Sequence, residues 1–154
     1  MKTGPRHLAR QAALQILYQW EIGRVPPEAA AARHWEIEQE GEELAASSRR
    51  FAEELAAGTV AHLGSIDPLI EEHAQHWRLE RMAVVDRLIL RLAVYEFLHM
   101  RETPRAVVID EAIELARTFS EQEAVRFVNG VLDGVHHALA AGTVGAGPGP
   151  EAAT

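Results

Sequence analysis

The sequence predicts an all-α fold, a compact helical bundle of about seven helices, and three observations carry that expectation. Ala, Leu, Glu, Arg and Gln, all good helix formers, dominate the 154 residues. Apolar positions recur at helical spacing in block after block, and no run shows convincing apolar/polar alternation. Between the blocks stand stop signals: Gly23 with Val25-Pro26-Pro27, Glu40-Gly41, Gly64, and the RETPR stretch. The length suits one domain, or two small halves sharing a core, and is enough to bury that core without staples. Residues 1–140 are read as that single domain.

The first helix is expected from Pro5 or Arg6 to Ile22, and an acidic second helix from about Pro27 to Gln39. A third follows Ser47-Ser48 and runs to about His62, ending at Gly64. SIDPLIEEHAQHW then reads as a helix start, with Asp67 as cap and Pro68 in the first helical position, where its missing N–H costs nothing. MAVVDRLILRLAVYEFLHM is apolar on most of its circumference and should be the helix others pack around. RETPR is a loop, because Pro104 pushes Thr103 out of the α region. VVIDEAIELARTF is helical. SEQE then matches a capping box, Ser120 capping and Glu123 reaching back. The last helix sets Ala124, Val128, Val131, Val135 and Leu139 on one stripe. Residues 141–154, AGTVGAGPGPEAAT, bury too little to order and are read as a disordered tail.

Composition narrows the function classes. There is no cysteine, hence no disulfide framework, thiol nucleophile or zinc–thiolate site. No apolar run approaches the roughly 18–20 residues of a membrane span, and no signal-peptide core is apparent, so a cytoplasmic protein is expected. Eight histidines raise a metal reading, but His73 and His76 are three apart, and the adjacent His136 and His137 diverge by about 100°. Without HExxH or cysteine, solvated or interfacial histidines are the simpler account, and neither metal nor cofactor is expected. Glu96 falls among the apolar residues of the central helix and needs an N–H or an arginine as partner. No nucleophile or second acid accompanies it, so catalysis is not expected. The acids between Glu36 and Glu54 read as a solvated face, with Arg49 and Arg50 in weak surface pairs.

Charge is distributed unevenly. The net charge is −8, yet the first twenty residues hold Lys2, Arg6 and Arg10 and no acid, leaving 12 basic against 23 acidic residues elsewhere. On a helical wheel Leu8, Ala9, Ala12, Ala13, Ile16, Leu17 and Trp20 make the core face of the first helix. His7, Arg10, Gln11, Leu14 and Tyr18 fall opposite. An exposed ring beside cations and amides suits single-stranded nucleic acid, the ring stacking a base and the cations meeting phosphates. The helix N-terminus adds free N–H groups for a phosphate. The competing account is a half-buried Tyr18 and a merely solvated basic end. Near the other terminus, Arg126 points away from the apolar stripe. Phe127 lies on its flank, either filling a satellite pocket opposite Gly130 or stacking a base.

Three blocks carry a resemblance: the basic N-terminus running into ALQILYQWE, the central WRLERMAVVDRLILRLAVYEFL, and ETPRAVVIDEAIELARTFSEQEAVRFVNGVLDGV. Together they resemble the NusB family of transcription antitermination factors over most of residues 5–135. The last block is the most specific, and the segment from about Pro26 to Ser48 is the least matched. The resemblance implies an all-helical protein of two sub-bundles that binds single-stranded boxA RNA together with NusE, a small ribosomal subunit protein. That complex joins RNA polymerase and supports antitermination and ribosomal RNA synthesis, with no catalysis. Carried onto this chain, the implied RNA contacts are Arg6, Arg10, Tyr18, Arg126 and Phe127; Lys2, from the basic terminus, and His7 and Gln11, from the polar face of the first helix, complete the candidate RNA-binding set. The implied protein-partner position is Asp86, and Glu80 and Glu123 are further acidic candidates for that contact.

The chain departs from the family pattern where a dense arginine run is thinned to Arg6-His7-Leu8-Ala9-Arg10, and where a common lysine is Ala106. Four cationic contacts, from Lys2, Arg6, Arg10 and Arg126, give a log–log salt slope of roughly −3. Weak binding by the protein alone follows, with more affinity supplied by the partner's basic surface; His7 would add charge below about pH 6.5. The second reading is a protein-binding helical adaptor that leaves RNA to its partner. A third borrows from NusB-like domains fused to RNA methyltransferases, but no Gly-rich strand–helix unit for a methyl donor is present. Self-association stays open, since some relatives form homodimers, and a homodimer would cover the face assigned to RNA.

Overall fold

The computed structural model describes residues 4–38, 44–75 and 77–142. Within them lie seven α-helices: α1 (Pro5–Gly23), α2 (Pro27–Ile37), α3 (Ala46–Ala61), α4 (Leu63–His73), α5 (Val84–His99), α6 (Arg105–Phe119) and α7 (Gln122–Ala141). A 3-10 turn, Leu79–Arg81, precedes α5. Lys2, Gln39, His76 and the expected tail from residue 143 onward lie outside the described residues. Ala141 still belongs to α7, and Gly142 closes it in the left-handed conformation that glycine adopts without strain.

Two sub-bundles result. α1, α2 and α3 pack on one another, and α4, α5, α6 and α7 form the second group. α1 and α3 both lie against α5, which makes that helix the joint. This is why α5 is buried on most of its circumference, from Arg87 through Phe97 with Arg91 alone half-open. Ile16, Leu17, Leu55, Ile66, Ile70, Leu88, Ile89, Leu90, Leu92, Leu115 and Leu132 are fully buried, each stabilising by about 1.5–3 kcal/mol relative to exposure. Because α2, α3 and α5 all enclose α1, its buried arc is wider than one face. Leu14, expected on the polar side, therefore joins the core.

Three helix boundaries differ from the expected ones, and in two of them a distant partner outcompetes a local signal. α4 begins at Leu63, directly after His62 ends α3, so Gly64 and Pro68 lie inside it. Asp67 does not cap; it makes a two-pronged bond to Arg91 of α5 at 2.9 Å on both oxygens. Arg91 also reaches Glu21 at 3.6 Å, and Arg87 reaches the same Glu21 at 3.3 Å, tying α1, α4 and α5 together. The capping box at SEQE does not form: α7 starts at Gln122 with no side-chain cap. Ser120 instead donates its hydroxyl to Asp86 of α5. At the end of α1, Gly23 is the last helical residue, and the reversal falls on Arg24, whose φ is 57°.

Candidate nucleic-acid interface

On α1, Pro5 occupies the first turn and no side chain caps the helix start, so its first N–H groups have no side-chain partner. Arg6 is exposed, and its guanidinium lies 3.7 Å from the centroid of the Phe51 ring of α3. That stacking fixes the cation beside the helix start without using its outward N–H groups. Tyr18 is 44% exposed. Gln11, Gln15 and Tyr18 stand at i, i+4 and i+7, so two amides and an open ring share one stripe.

His7 and Arg10, expected on this open face, are not on it. Both are only 4% exposed. Arg10 donates to both oxygens of Glu96 of α5, at 2.7 and 2.8 Å, and lies 3.7 Å from Glu111 of α6. His7 bonds through Nδ1 to Glu111 at 2.7 Å and through Nε2 to Gln11 at 3.2 Å. The cause is electrostatic: Glu96 and Glu111 are buried carboxylates, and α1 supplies the charge they need. Burial alone would lower the Arg10 pKa, but the hydrogen bond it donates to Glu96 and the charges of Glu96 and Glu111 outweigh it and raise it. Glu96 thus finds the arginine that its position demanded.

The second cationic and aromatic set lies on α7. Arg126 is exposed and lines a shallow depression with Arg117, Ser120 and Asn129. Phe127 is half-buried, packed against the core and edge-on to Trp77, with ring centroids 6.5 Å apart. Gly130 faces open space, so it forms no pocket opposite Phe127. Trp77 is 54% exposed and shares a second depression with Arg78 and Glu80. Glu80 makes only a 3.9 Å surface pair with Arg78, and Glu123 is exposed in the first turn of α7. Asp86 meets Ser120 at the rim that also holds Arg126. The α1 and α7 sets flank α5, and no hydrogen bond, ion pair or ring contact among the described residues joins Tyr18 to Phe127.

Sequence reasoning missed Trp77. Its signal was there, a large ring in the polar HAQHWRLER connection between two helices, where burial is hard to arrange. It also missed the cleft between α1, α2 and α3 that is lined by His34, Trp35 and Arg49. Arg49 does not make a simple surface pair; it stands 5.0 Å from the Trp35 ring centroid.

A model of the NusB family matches residues 7–137. The chain is 48% identical over 134 residues to the transcription antitermination protein NusB of Solibacter usitatus (strain Ellin6076), covering 87% of this chain and 90% of that protein. Among solved structures it is similar to T. maritima NusB, with TM-score 0.75 and 36% identity over 89% of this chain and 93% of the other. It is also similar to a chain from a crystal structure of the antitermination factors NusB and NusE in complex with dsRNA. There the TM-score is 0.77 at 27% identity, covering 87% of this chain and 97% of that chain.

Proposed function

The chain belongs to the NusB family, and from that membership we propose that it is an RNA-binding transcription antitermination factor. It binds single-stranded boxA-type RNA together with the ribosomal protein NusE and acts on RNA polymerase within the antitermination complex, supporting ribosomal RNA transcription. The observation that carries this reading is the family match itself, which takes in both aromatic sets, Tyr18 on α1 and Phe127 on α7.

The geometry suggests the division of labour. Tyr18 stacks a base, and Arg6, held on Phe51, meets a phosphate at the α1 N-terminus. Arg126 and the Phe127–Trp77 pair give a second contact on α7. Lys2 adds a cation at the terminus. His7 and Arg10 act from behind, holding α1 on α5 and α6, while Gln11 links His7 to the open stripe. The acidic surface elsewhere limits indiscriminate RNA binding, and Asp86, Glu80 and Glu123 face the basic protein partner.

The test is fluorescence anisotropy of a labelled boxA-like RNA titrated with the protein, with and without NusE from the same source, at two salt concentrations. Sequence-selective, salt-sensitive binding that tightens with NusE is expected. No RNA binding in either mixture, with NusE still captured, would leave a protein-only adaptor.

A further inference from the structure

We propose that the cleft between α1, α2 and α3 is a pocket for one unpaired nucleobase of the RNA strand, an assignment that rests on the RNA-binding reading above. Its volume is about 440 Å³, within the range of small-molecule sites. Gln11 and Gln15 of α1, His34 and Trp35 of α2, and Arg49 of α3 line it, over a floor that includes Leu8 and Ala12.

His34 supplies the independent sign of a ligand. It is 5% exposed, lines the cleft, and its ring nitrogens have no hydrogen-bond partner among the described residues. Buried polar groups are nearly always paired, and a buried imidazole that faces a cavity with no partner among the described residues is placed to bond a ligand. Burial, the largest influence, holds its pKa below the ordinary histidine value, with Arg49 lowering it and Glu38 raising it. The ring is therefore neutral at pH 7 and offers one donor and one acceptor. With the two glutamine amides it can read the hydrogen-bonding edge of a base.

The other walls are flat and fixed. Trp35 donates from Nε1 to Glu53 at 2.7 Å, and Arg49 lies over its ring. His34 stands edge-on to the same indole, centroids 4.8 Å apart. Arg49 and Glu38 both line the cleft, so it has no excess positive charge to draw a phosphate. A neutral, planar, hydrogen-bonding group fits it better. The pocket is also continuous with the proposed RNA face. Gln11 and Gln15 belong to the stripe that ends at Tyr18, and Gln15 is about 4.5 Å from Tyr18 along the helix axis. A strand with one base on Tyr18 has the pocket within reach of a near neighbour.

The experiment uses the full chain and boxA-like RNAs carrying a single 4-thiouridine, photocrosslinked and mapped by mass spectrometry. One position should crosslink to the α2 peptide holding His34 and Trp35, and another to Tyr18. Crosslinks at Tyr18 with none in α2 would overturn the pocket and leave the RNA reading standing. No crosslink anywhere would overturn both. The variant Gln15→Ala changes an exposed side chain and spares the fold. It should weaken the intact RNA about three- to tenfold, the effect of one lost hydrogen bond, and leave an RNA abasic at the α2-crosslinking position unaffected. Equal weakening of both RNAs would overturn the assignment. Adenosine and uridine monophosphates are titrated alongside, and saturation by either at micromolar concentration would assign the pocket to free nucleotides instead.

Discussion

Arg10 commits its guanidinium to Glu96 and Glu111, 86 and 101 positions further along the chain, whereas Tyr18 on the same helix stays open to solvent. Substituting each should therefore read out differently. Arg10→Ala leaves buried carboxylate charge uncompensated and is expected to cost about 3–5 kcal/mol in urea unfolding. Pairing Arg10→Met with Glu96→Leu should recover most of that loss, because both charges then leave together. Tyr18→Ala should change stability by no more than about 0.5 kcal/mol, yet weaken RNA binding by about 1–3 kcal/mol in anisotropy titrations. A large drop in thermal stability for Tyr18→Ala would make it a core residue. The need of Glu96 for a partner was legible in the sequence, since a lone acid among apolar neighbours must be paired. The identity of that partner was not. A helical wheel points the Arg10 Cβ away from the α1 core stripe, but it carries no information about acids on helices almost a hundred residues away.

The helices themselves were legible and their ends were not. Seven blocks of helical periodicity became seven helices, yet Asp67 and Ser120, both good local caps, turned to Arg91 and Asp86 instead. Bonds to charged side chains on neighbouring helices outweighed a cap bond worth about 1 kcal/mol. The same blindness covers close approach. Gly58 on α3 lies against the Tyr95 ring of α5, where an added Cβ would stand 2.3 Å from the ring and its hydroxyl. Gly58→Ala gains helix propensity of about 1 kcal/mol, but it forces apart the helix pair that joins the sub-bundles, at a cost of about 1–3 kcal/mol. Net destabilisation is expected, with a lower midpoint in thermal melts. Adding Tyr95→Leu should restore part of the loss. A Gly58→Ala protein more stable than the parent would mean that Tyr95 swings aside freely.

Two properties belong to the molecule as a whole. Burial lowers the pKa of His34 and, with His62 and Arg101 adding to it, that of His99. Below about pH 6.5, the ordinary histidine value, the unfolded chain binds protons that the folded chain refuses. Stability therefore falls as pH drops from about 6.5 toward the lowered values, and is fully present above that range. Thermal melts between pH 7.5 and 5.5 should show the decline, and His34→Asn should flatten part of it. The second property is the salt dependence of RNA binding. With Arg10 withdrawn into its ion pairs, Lys2, Arg6 and Arg126 remain, and the expected log–log slope moves from roughly −3 to roughly −2. A slope of −3 or steeper would mean that further cations, Arg49 or Arg117 first among them, reach phosphates.

The ion pairs from α1 to α5 and α6 also set an order of events during synthesis. His7 and Arg10 leave the ribosome early, but Glu96 and Glu111 follow 86 to 104 residues later. At bacterial elongation rates of about 5–20 residues per second, that is a wait of roughly 5–20 seconds. Throughout it the nascent α1 has no buried acid to neutralise its cations and no α5 to lie against. Until then α1 rests on α2 and α3 alone, and in a truncated chain ending before residue 96 α1 should be cut by protease more readily than in the full chain.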